Sequence, residues 1–271
     1  QERHEWMKMS VNLSTTKRIV IKVGSSTLTG KAGANLDPAA IDQLVDVVGK
    51  LKNEGKEVIV VSSGAIAAGL APLGLSERPS DLTSQQAAAS VGQGLLMARY
   101  TQSFNRFKIT TSQVLITLDD ITKAVHVENI KGVLNSLLKL GVVPIINEND
   151  TVGTEEIKFG DNDLLAAKVA KLVKADLLII LSSVNGLYDS EEAVKTQKSE
   201  ALVKEVTKIS SKIKKMAGQA SNMGKGGMIS KIEAAEICFK NKSDMVIASG
   251  IRNKPIRSLN GKGKATWFVK R

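Results

Sequence analysis

Cysteine is almost missing from the chain. Cys238 stands alone, which excludes an internal disulfide framework and a cysteine-rich zinc site. Its place in an apolar helical stretch reads as a small buried hydrophobe. Histidine is nearly as scarce, and His4 and His126 are too few for a histidine-built metal cluster. Aromatic side chains make up only 3% of the residues, so the core has to come from Val, Ile, Leu and Ala. That scarcity also argues against a nucleic-acid reader that stacks bases on aromatic platforms. No apolar run reaches the ~18 residues of a membrane helix. Gln1–Thr16 lacks the apolar stretch of a signal peptide. These absences point to a cytoplasmic protein with no membrane partner. Residues 1–17 read as a polar N-terminal extension without fixed structure.

What is present is ordinary in amount and uneven in placement. The 271 residues, 42% apolar and 24% charged, suit one large soluble domain or two small ones with a sizeable core. The net charge of +11 is confined to one part of the chain. Residues 1–170 hold 18 Lys and Arg against 18 Asp and Glu, whereas residues 171–271 hold 20 against 9. An excess on one side implies an anionic partner for the C-terminal part, either nucleic acid or a nucleotide polyphosphate. A solvated lysine-rich surface is the alternative that motifs have to displace.

Strands and helices alternate along the sequence. Arg18–Val23 is a short β-branched run ending in the small-residue loop Gly24-Ser25-Ser26-Thr27. Asp37-Pro38 opens a helix with a good N-cap and a proline at the first helical position. Ile41, Leu44, Val45, Val48 and Leu51 give it an apolar stripe, and it stops at Asn53-Glu54-Gly55. Further strands are expected at 58–61, 113–118, 142–147, 177–181 and 245–248, and helices at 84–106, 127–140, 161–174 and 229–240. Apolar strands alternating with helices predict a parallel sheet covered on both faces. Residues 190–224, polar and lysine-rich, read as a mobile excursion from that plan.

In open α/β sheets, ligands bind beyond the carboxyl ends of the strands. The small-residue clusters fall there: Gly24-Ser25-Ser26, Ser62-Ser63-Gly64-Ala65 and Asn147-Glu148-Asn149-Asp150. Small residues let backbone N–H groups approach an anion. None of these stretches matches the GxGxxG dinucleotide fingerprint or the GxxxxGK[ST] P-loop, which disfavours a Rossmann dehydrogenase and a P-loop NTPase. Lys22 sits inside an apolar strand, either as an edge lysine with its head in water or at the mouth of a phosphate loop. Gly224-Lys225-Gly226-Gly227-Met228 leads into a helix carrying Ser230 and Lys231, a surface turn or a second polyphosphate loop. Gly160-Asp161-Asn162-Asp163 opens another helix with more acceptors than one N-cap needs. Its carboxylates and that of Asp150 could orient lysines, hold a metal or grip an amine.

Seven stretches carry a family resemblance. They are Ile21-Lys-Val-Gly-Ser-Ser26, Val60-Val-Ser-Ser-Gly-Ala-Ile-Ala-Ala-Gly69, Gln86-Ala-Ala-Ala-Ser-Val-Gly-Gln93, Val143-Pro-Ile-Ile-Asn-Glu-Asn-Asp150, Phe159-Gly-Asp-Asn-Asp163, Asn185-Gly-Leu-Tyr-Asp189 and Gly224-Lys-Gly-Gly-Met228. In this order, over about 18–271, they resemble the glutamate 5-kinases of the amino acid kinase family. The Asn-Glu-Asn-Asp and Gly-Asp-Asn-Asp pair is the most specific part. The first and last loops also resemble those of uridylate, aspartate and acetylglutamate kinases.

The resemblance implies a three-layer αβα sandwich with a mostly parallel central sheet of about eight strands. Residues 18–170 would form a glutamate-binding lobe and 171–271 a nucleotide-binding lobe. The reaction would be ATP plus L-glutamate giving ADP and L-glutamyl 5-phosphate, the first step of proline biosynthesis. Lys22 and Lys231 would stabilise the transferring phosphoryl group, with Asp163 orienting them. Ser63, Gly64, Ala65, Asp150, Asp161 and Asn162 would bind glutamate. Gly24, Ser25, Ser182, Ser183, Lys225, Gly226, Gly227, Met228 and Ser230 would line the nucleotide together with both lysines. Mg²⁺ would arrive with ATP, held largely by its phosphates. The resemblance further implies a homo-oligomer, dimer or tetramer, with L-proline as a feedback inhibitor and no nucleic-acid partner. Many members carry an additional C-terminal PUA domain, and this chain reads as the short form without it.

Three departures from the family pattern fall on the nucleotide side. Ser182-Ser183 stands where Thr-Asp or Ser-Asp is common, Asn185-Gly186 replaces Asp-Gly as a hairpin turn, and Lys225 replaces Thr. A kinase of N-acetylglutamate, aspartate or uridylate on the same fold, and a basic RNA-binding protein with an inactive kinase fold, are the competing readings.

Overall fold

The structure is a computed structural model that describes residues 13–30, 35–153, 162–196, 198–220, 227–250 and 263–270. Its centre is β1 (Arg18–Val23), the β-branched run, buried along nearly its whole length. β1 pairs with β2 (Glu57–Ser62) on one side and with β5 (Leu177–Ser182) on the other, both in parallel register. Beyond β2 lie β4 (Val143–Glu148) and β3 (Thr111–Ile116). Beyond β5 lie β7 (Asp244–Ser249), β8 (Ala265–Phe268) and the two-residue β6 (Glu205–Val206). The eight-stranded order is β3-β4-β2-β1-β5-β7-β8-β6, and only the β7–β8 pair is antiparallel. This is the mostly parallel α/β sheet expected from the sequence. The chain runs to opposite sides of β1, so the carboxyl end of β1 is a switch point, where such sheets form ligand crevices.

Side-chain parity along β1 assigns the two faces. Ile19, Ile21 and Val23 pack against α1 (Pro38–Asn53) through Ile41 and Leu44, and against α3 (Leu82–Phe104) through Leu96, Tyr100 and Phe104. Val20 faces the other way. It joins Leu134 and Leu138 of α4 (Ala124–Lys139), Leu165 and Val169 of α5 (Asp163–Leu172), and Ile232 of α8 (Met228–Lys240). Lys22 has the parity of Val20, so its ammonium emerges on the face that carries the starts of α5 and α8. Cys238 lies in α8, 1% exposed, and burial pushes its thiol up to about 12, as suits a small core residue.

Capping explains the helix starts. Asp37 accepts from Ala39 N at 2.9 Å, with Pro38 at the first position of α1. Asp81 accepts from Ser84 N at 2.8 Å, which begins α3 two residues before the glutamine-rich stretch suggests. Several expectations are corrected. Ser25–Leu28 is a single helical turn rather than an open loop. Residues 190–224 do not simply leave the fold. They include α6 (Glu191–Thr196), β6, which adds to the sheet beside β8, and α7 (Ser211–Ala220). Asn185-Gly186 is not a hairpin turn. Gly186 is required by close approach, because a Cβ there would fall 2.2 Å from Thr266 Oγ1. That hydroxyl accepts from Leu187 N at 2.8 Å and donates to Val203 O at 2.6 Å, stitching this loop to β8. At the other end, Leu13 packs against the core and Lys56 Nζ donates to the carbonyls of Leu13 and Thr16. Residues 13–17, the inner part of the expected extension, are thus held by the fold.

Candidate active site

Three elements converge beyond the end of β1. Lys22 projects from β1, Asp163 opens α5, and Lys231 lies one turn into α8. Asp163 is fully buried, and its Oδ1 lies 2.8 Å from Lys22 Nζ while its Oδ2 lies 2.9 Å from Lys231 Nζ. Ser230 Oγ is 2.9 Å from the same Oδ2 and also 2.9 Å from Gly227 O, which ties the triad to the residue that caps α8. Both lysines are at least 95% buried. One carboxylate bridges two buried ammonium groups in a low-dielectric setting, a grouping of fixed positive charges suited to an anion. The Lys22 head leans over Gly24: a Cβ added at Gly24 would sit 3.5 Å from Nζ. Its ammonium is therefore at the mouth of the first small-residue loop and not an edge lysine in water.

Next to this cluster lies one built mainly of amides. Asn162 immediately precedes Asp163, and its Nδ2 donates to Ser62 O at 3.0 Å and to Asn147 Oδ1 at 3.0 Å. Asn147 Nδ2 donates to Gln93 Oε1 at 2.9 Å. Ser63 is tied back to β1 by its N–H, 3.0 Å from Val23 O. Gly64 has φ +105°, the left-handed region that favours glycine, and this lets the chain turn straight from β2 into α2 (Ala65–Leu70). Ser63, Gly64 and Ala65 are all buried at that corner. The turn carrying Asp150 is held by α3, with Gln86 Nε2 donating to Gly153 O at 3.2 Å and the Ser90 and Thr151 hydroxyls 3.3 Å apart.

The structure thus brings together Lys22, Asp163, Ser230 and Lys231 in one cluster, and Asn162 with the Ser62–Ala65 corner and the Asn147–Asp150 turn in another. Gly24 and Ser25 follow β1, Ser182 ends β5 beside it with Ser183 next in the chain, and Gly227 and Met228 open α8. Asp161, Lys225 and Gly226 lie outside the described residues. Sequence reasoning missed Arg78. Its Nε and Nη2 donate to Gln85 Oε1 at 3.1 and 2.7 Å, and Gln85 Nε2 donates to Pro79 O at 2.7 Å. Burial lowers the Arg78 pKa from the ordinary guanidinium value, and the nearby charge of Asp150 acts in the opposite direction. The available signal was that Arg78 is the only basic residue between Lys56 and Arg99. Gln93 and Asn147 stood inside recognised motifs without a role.

A buried carboxylate holding two lysines at the switch point of a parallel sheet, with acceptors beside it, is chemistry for moving a phosphoryl group. The sequence profile of the amino acid kinase family matches residues 17–249. The chain belongs to the amino acid kinase family. It is 47% identical over 259 residues to the glutamate 5-kinase of Clostridium acetobutylicum, covering 95% of this chain and 96% of that protein. It is 50% identical over 252 residues to the glutamate 5-kinase of Streptomyces coelicolor, covering 93% of this chain and 66% of that longer protein. Among solved structures, a carbamate kinase from Giardia superposes with a TM-score of 0.66 over 95% of this chain and all of that one, at 16% identity. A UMP kinase from Ureaplasma parvum gives 0.59 over 94% of this chain and all of that one, at 19% identity. These structural likenesses speak for the fold, and the sequence likenesses place the chain among the glutamate 5-kinases.

Proposed function

We propose that this chain transfers the γ-phosphoryl group of ATP to the γ-carboxylate of L-glutamate, giving ADP and L-glutamyl 5-phosphate, the first step of proline biosynthesis. The observation that carries the assignment of roles is the Lys22–Asp163–Lys231 arrangement, with Asn162 of the acceptor cluster adjacent in sequence to its aspartate. A carboxylate oxygen of glutamate attacks the γ-phosphorus, and the bond from that phosphorus to the β–γ bridging oxygen breaks. The γ-carboxylate is already ionised at neutral pH, so no base is needed and no proton moves. Positioning and charge stabilisation are what remain for the protein to supply. The two ammonium groups held by Asp163 act most favourably when the transferring group carries its spread negative charge between them.

Glutamate lies, on this reading, against Ser63, Gly64, Ala65, Asp150, Asp161 and Asn162, from the side of the sheet that holds β2 and β4. The nucleotide lies along Gly24, Ser25, Ser182, Ser183, Gly227, Met228, Ser230 and Lys231, on the side that holds β5 and β7. The neutral and basic halves of the sequence divide in the same way, which supports lobes at 18–170 and 171–271. Mg²⁺ would arrive on the ATP phosphates, whose charge it neutralises. Among the described residues no group of three His, Cys, Asp or Glu side chains could hold it, and both oxygens of Asp163 are engaged by lysines. The reading also carries a cytoplasmic location, a homo-oligomer and L-proline as inhibitor. No helix of the described residues is long and apolar enough to cross a membrane.

ADP release measured with L-glutamate, N-acetyl-L-glutamate, L-aspartate and UMP tests the assignment, with hydroxylamine trapping of the acyl phosphate. The expected result is turnover and hydroxamate formation with L-glutamate. Turnover with another acceptor and none with L-glutamate would overturn it.

A further inference from the structure

Asn162 occupies the N-cap position of α5: its carbonyl accepts the Ala166 N–H at 2.9 Å. An asparagine there ordinarily turns its side-chain oxygen onto the first-turn N–H groups. This one makes no such cap bond. Its amide points elsewhere, and both of its N–H bonds are committed inside the protein, to Ser62 O and to Asn147 Oδ1. The part of the amide left over is Oδ1, an acceptor.

That polarity is pinned at two points by backbone groups whose roles are fixed. Ser62 O can only accept, so the Asn162 atom facing it is the nitrogen. Glu148 N can only donate, and it lies 2.8 Å from Asn147 Oδ1. Asn147 therefore shows its oxygen to Glu148 N and to Asn162, and its nitrogen to Gln93 Oε1 at 2.9 Å. Gln93 in turn donates from Nε2 to Gln113 Oε1 at 3.1 Å. The chain of amides runs from β3 through α3 and β4 to the start of α5, and every link is a donor meeting an acceptor. Reversing Asn162 would set its oxygen against Ser62 O and Asn147 Oδ1, and the Asn147 side would offer it a donor only if Asn147 also reversed, which Glu148 N and Gln93 Oε1 both resist.

We infer that Gln93 and Asn147 are positioning residues that hold the Asn162 amide with its oxygen toward the substrate, so that this side of the site offers an acceptor and selects a free primary ammonium. The inference rests on the glutamate kinase reading and deepens it. Asp150, three residues past Asn147 on the same turn, is a second acceptor of the same kind. An α-ammonium group supplies a positive charge and three donors to such a subsite. An acid without the amino group, such as glutarate, supplies none and should not respond to the orientation of Asn162.

The test measures KM for L-glutamate, the competitive inhibition constant of glutarate and KM for ATP in Gln93→Leu, Gln93→Glu, Asn162→Ala and the Gln93→Leu/Asn162→Ala double variant. Gln93→Leu keeps the bulk of a half-buried side chain and removes the acceptor for Asn147 Nδ2. The expected result is a rise of about tenfold in the glutamate KM, the size of one lost hydrogen bond to a charged group. Glutarate inhibition and the ATP constant should each change less than about twofold. Gln93→Glu retains an oxygen for Asn147 Nδ2 and should recover most of the glutamate affinity. In the Asn162→Ala background, Gln93→Leu should add nothing further, because it acts through that amide. Equal weakening of glutamate and glutarate, or a Gln93→Leu effect that persists without Asn162, would overturn the inference and leave the kinase assignment standing. Failure of the unaltered protein to phosphorylate L-glutamate would overturn the assignment and the inference with it.

Discussion

On one side of the site Asp163 is fully buried between two ammonium groups and a hydroxyl. On the other, Asn147 and Asn162 meet each other, Gln93 and backbone groups through neutral hydrogen bonds. The lysine side presents two buried ammonium groups, which attract a negative charge that develops beside them. The amide side is tied internally through its donors, with Asn162 Oδ1 left as an acceptor, and what it contributes is a fixed direction of donors and acceptors. The first arrangement stabilises charge that develops during a reaction. The second discriminates among molecules before it. The same contrast governs what each side tolerates, since removing part of a charge cluster alters the fold and the chemistry differently from removing one link in an amide chain.

The sharpest break is at Asp163. Asp163→Ala removes the carboxylate that bridges two buried ammonium groups, and loss of one partner from a buried ionic cluster costs about 3–5 kcal/mol. ADP release should fall to background, and the denaturation midpoint should drop by the corresponding amount. A variant as stable as the parent would show that water reaches the lysines and that the cluster is not a dry charge site.

Removing a lysine should behave in the opposite way for stability. Lys22→Met or Lys231→Met leaves Asp163 still paired with the other lysine and beside Ser230. The fold should hold, while kcat falls roughly 10²–10³-fold, the range seen when one preorganised charge-stabilising donor is lost. The glutamate KM should stay within about threefold, because neither lysine belongs to the amide side. If a methionine variant lost glutamate affinity instead of kcat, the division between the two sides would fail.

On the amide side the matching experiment is Asp150→Ala. It removes a carboxylate suited to the substrate ammonium and also the charge that offsets the desolvation of Arg78. The glutamate KM should rise at least about tenfold, as for loss of a hydrogen bond to a charged group, with the ATP KM unmoved. Movement of the ATP constant alone would place Asp150 on the wrong side of the site.

The two sides also differ in how far the sequence discloses them. β1 was legible because Ile19, Val20, Ile21 and Val23 form a β-branched run broken only by Lys22, and α1 because Asp37-Pro38 caps it. The sheet class followed from the alternation of such segments. Lys22 was visible as an oddity in a strand, and its partners came from motif resemblance, because parity alone says which face it takes and not what waits there. Gly-Asp-Asn-Asp showed surplus acceptors, yet could not say that Asn162 would forgo its cap while Asp163 took two lysines. Arg78 was hidden because its relation to Asp150 depends on where two loops meet, which no local pattern encodes. β6 escaped because two residues are too few to show a period. Gly186 was misread because its requirement is Thr266, far along the chain, and not a turn of its own.

The smallest expected effect tests whether the amide side depends on links behind it. Tyr100 is buried in α3 with its hydroxyl 2.8 Å from Ser62 Oγ, and that oxygen is also 2.8 Å from Ser63 O. A carbonyl cannot donate, so Ser62 gives its proton to Ser63 O and Tyr100 donates to Ser62. Burial raises the Tyr100 pKa, which keeps the phenol protonated and able to donate. Tyr100→Phe removes only this donor. Ser62 Oγ keeps its bond to Ser63 O, and Ser62 O keeps its bond from Asn162 Nδ2, so the corner that carries Ser63 and Gly64 retains two anchors. The cost should be about 1 kcal/mol of stability, the net value of one hydrogen bond, read as a shift in the denaturation midpoint. The glutamate KM and kcat should each stay within about twofold. A larger rise in KM with unchanged stability would mean that the tyrosine sets the corner, and that the selectivity of this side comes from packing behind β2 and not from the amide chain in front of it.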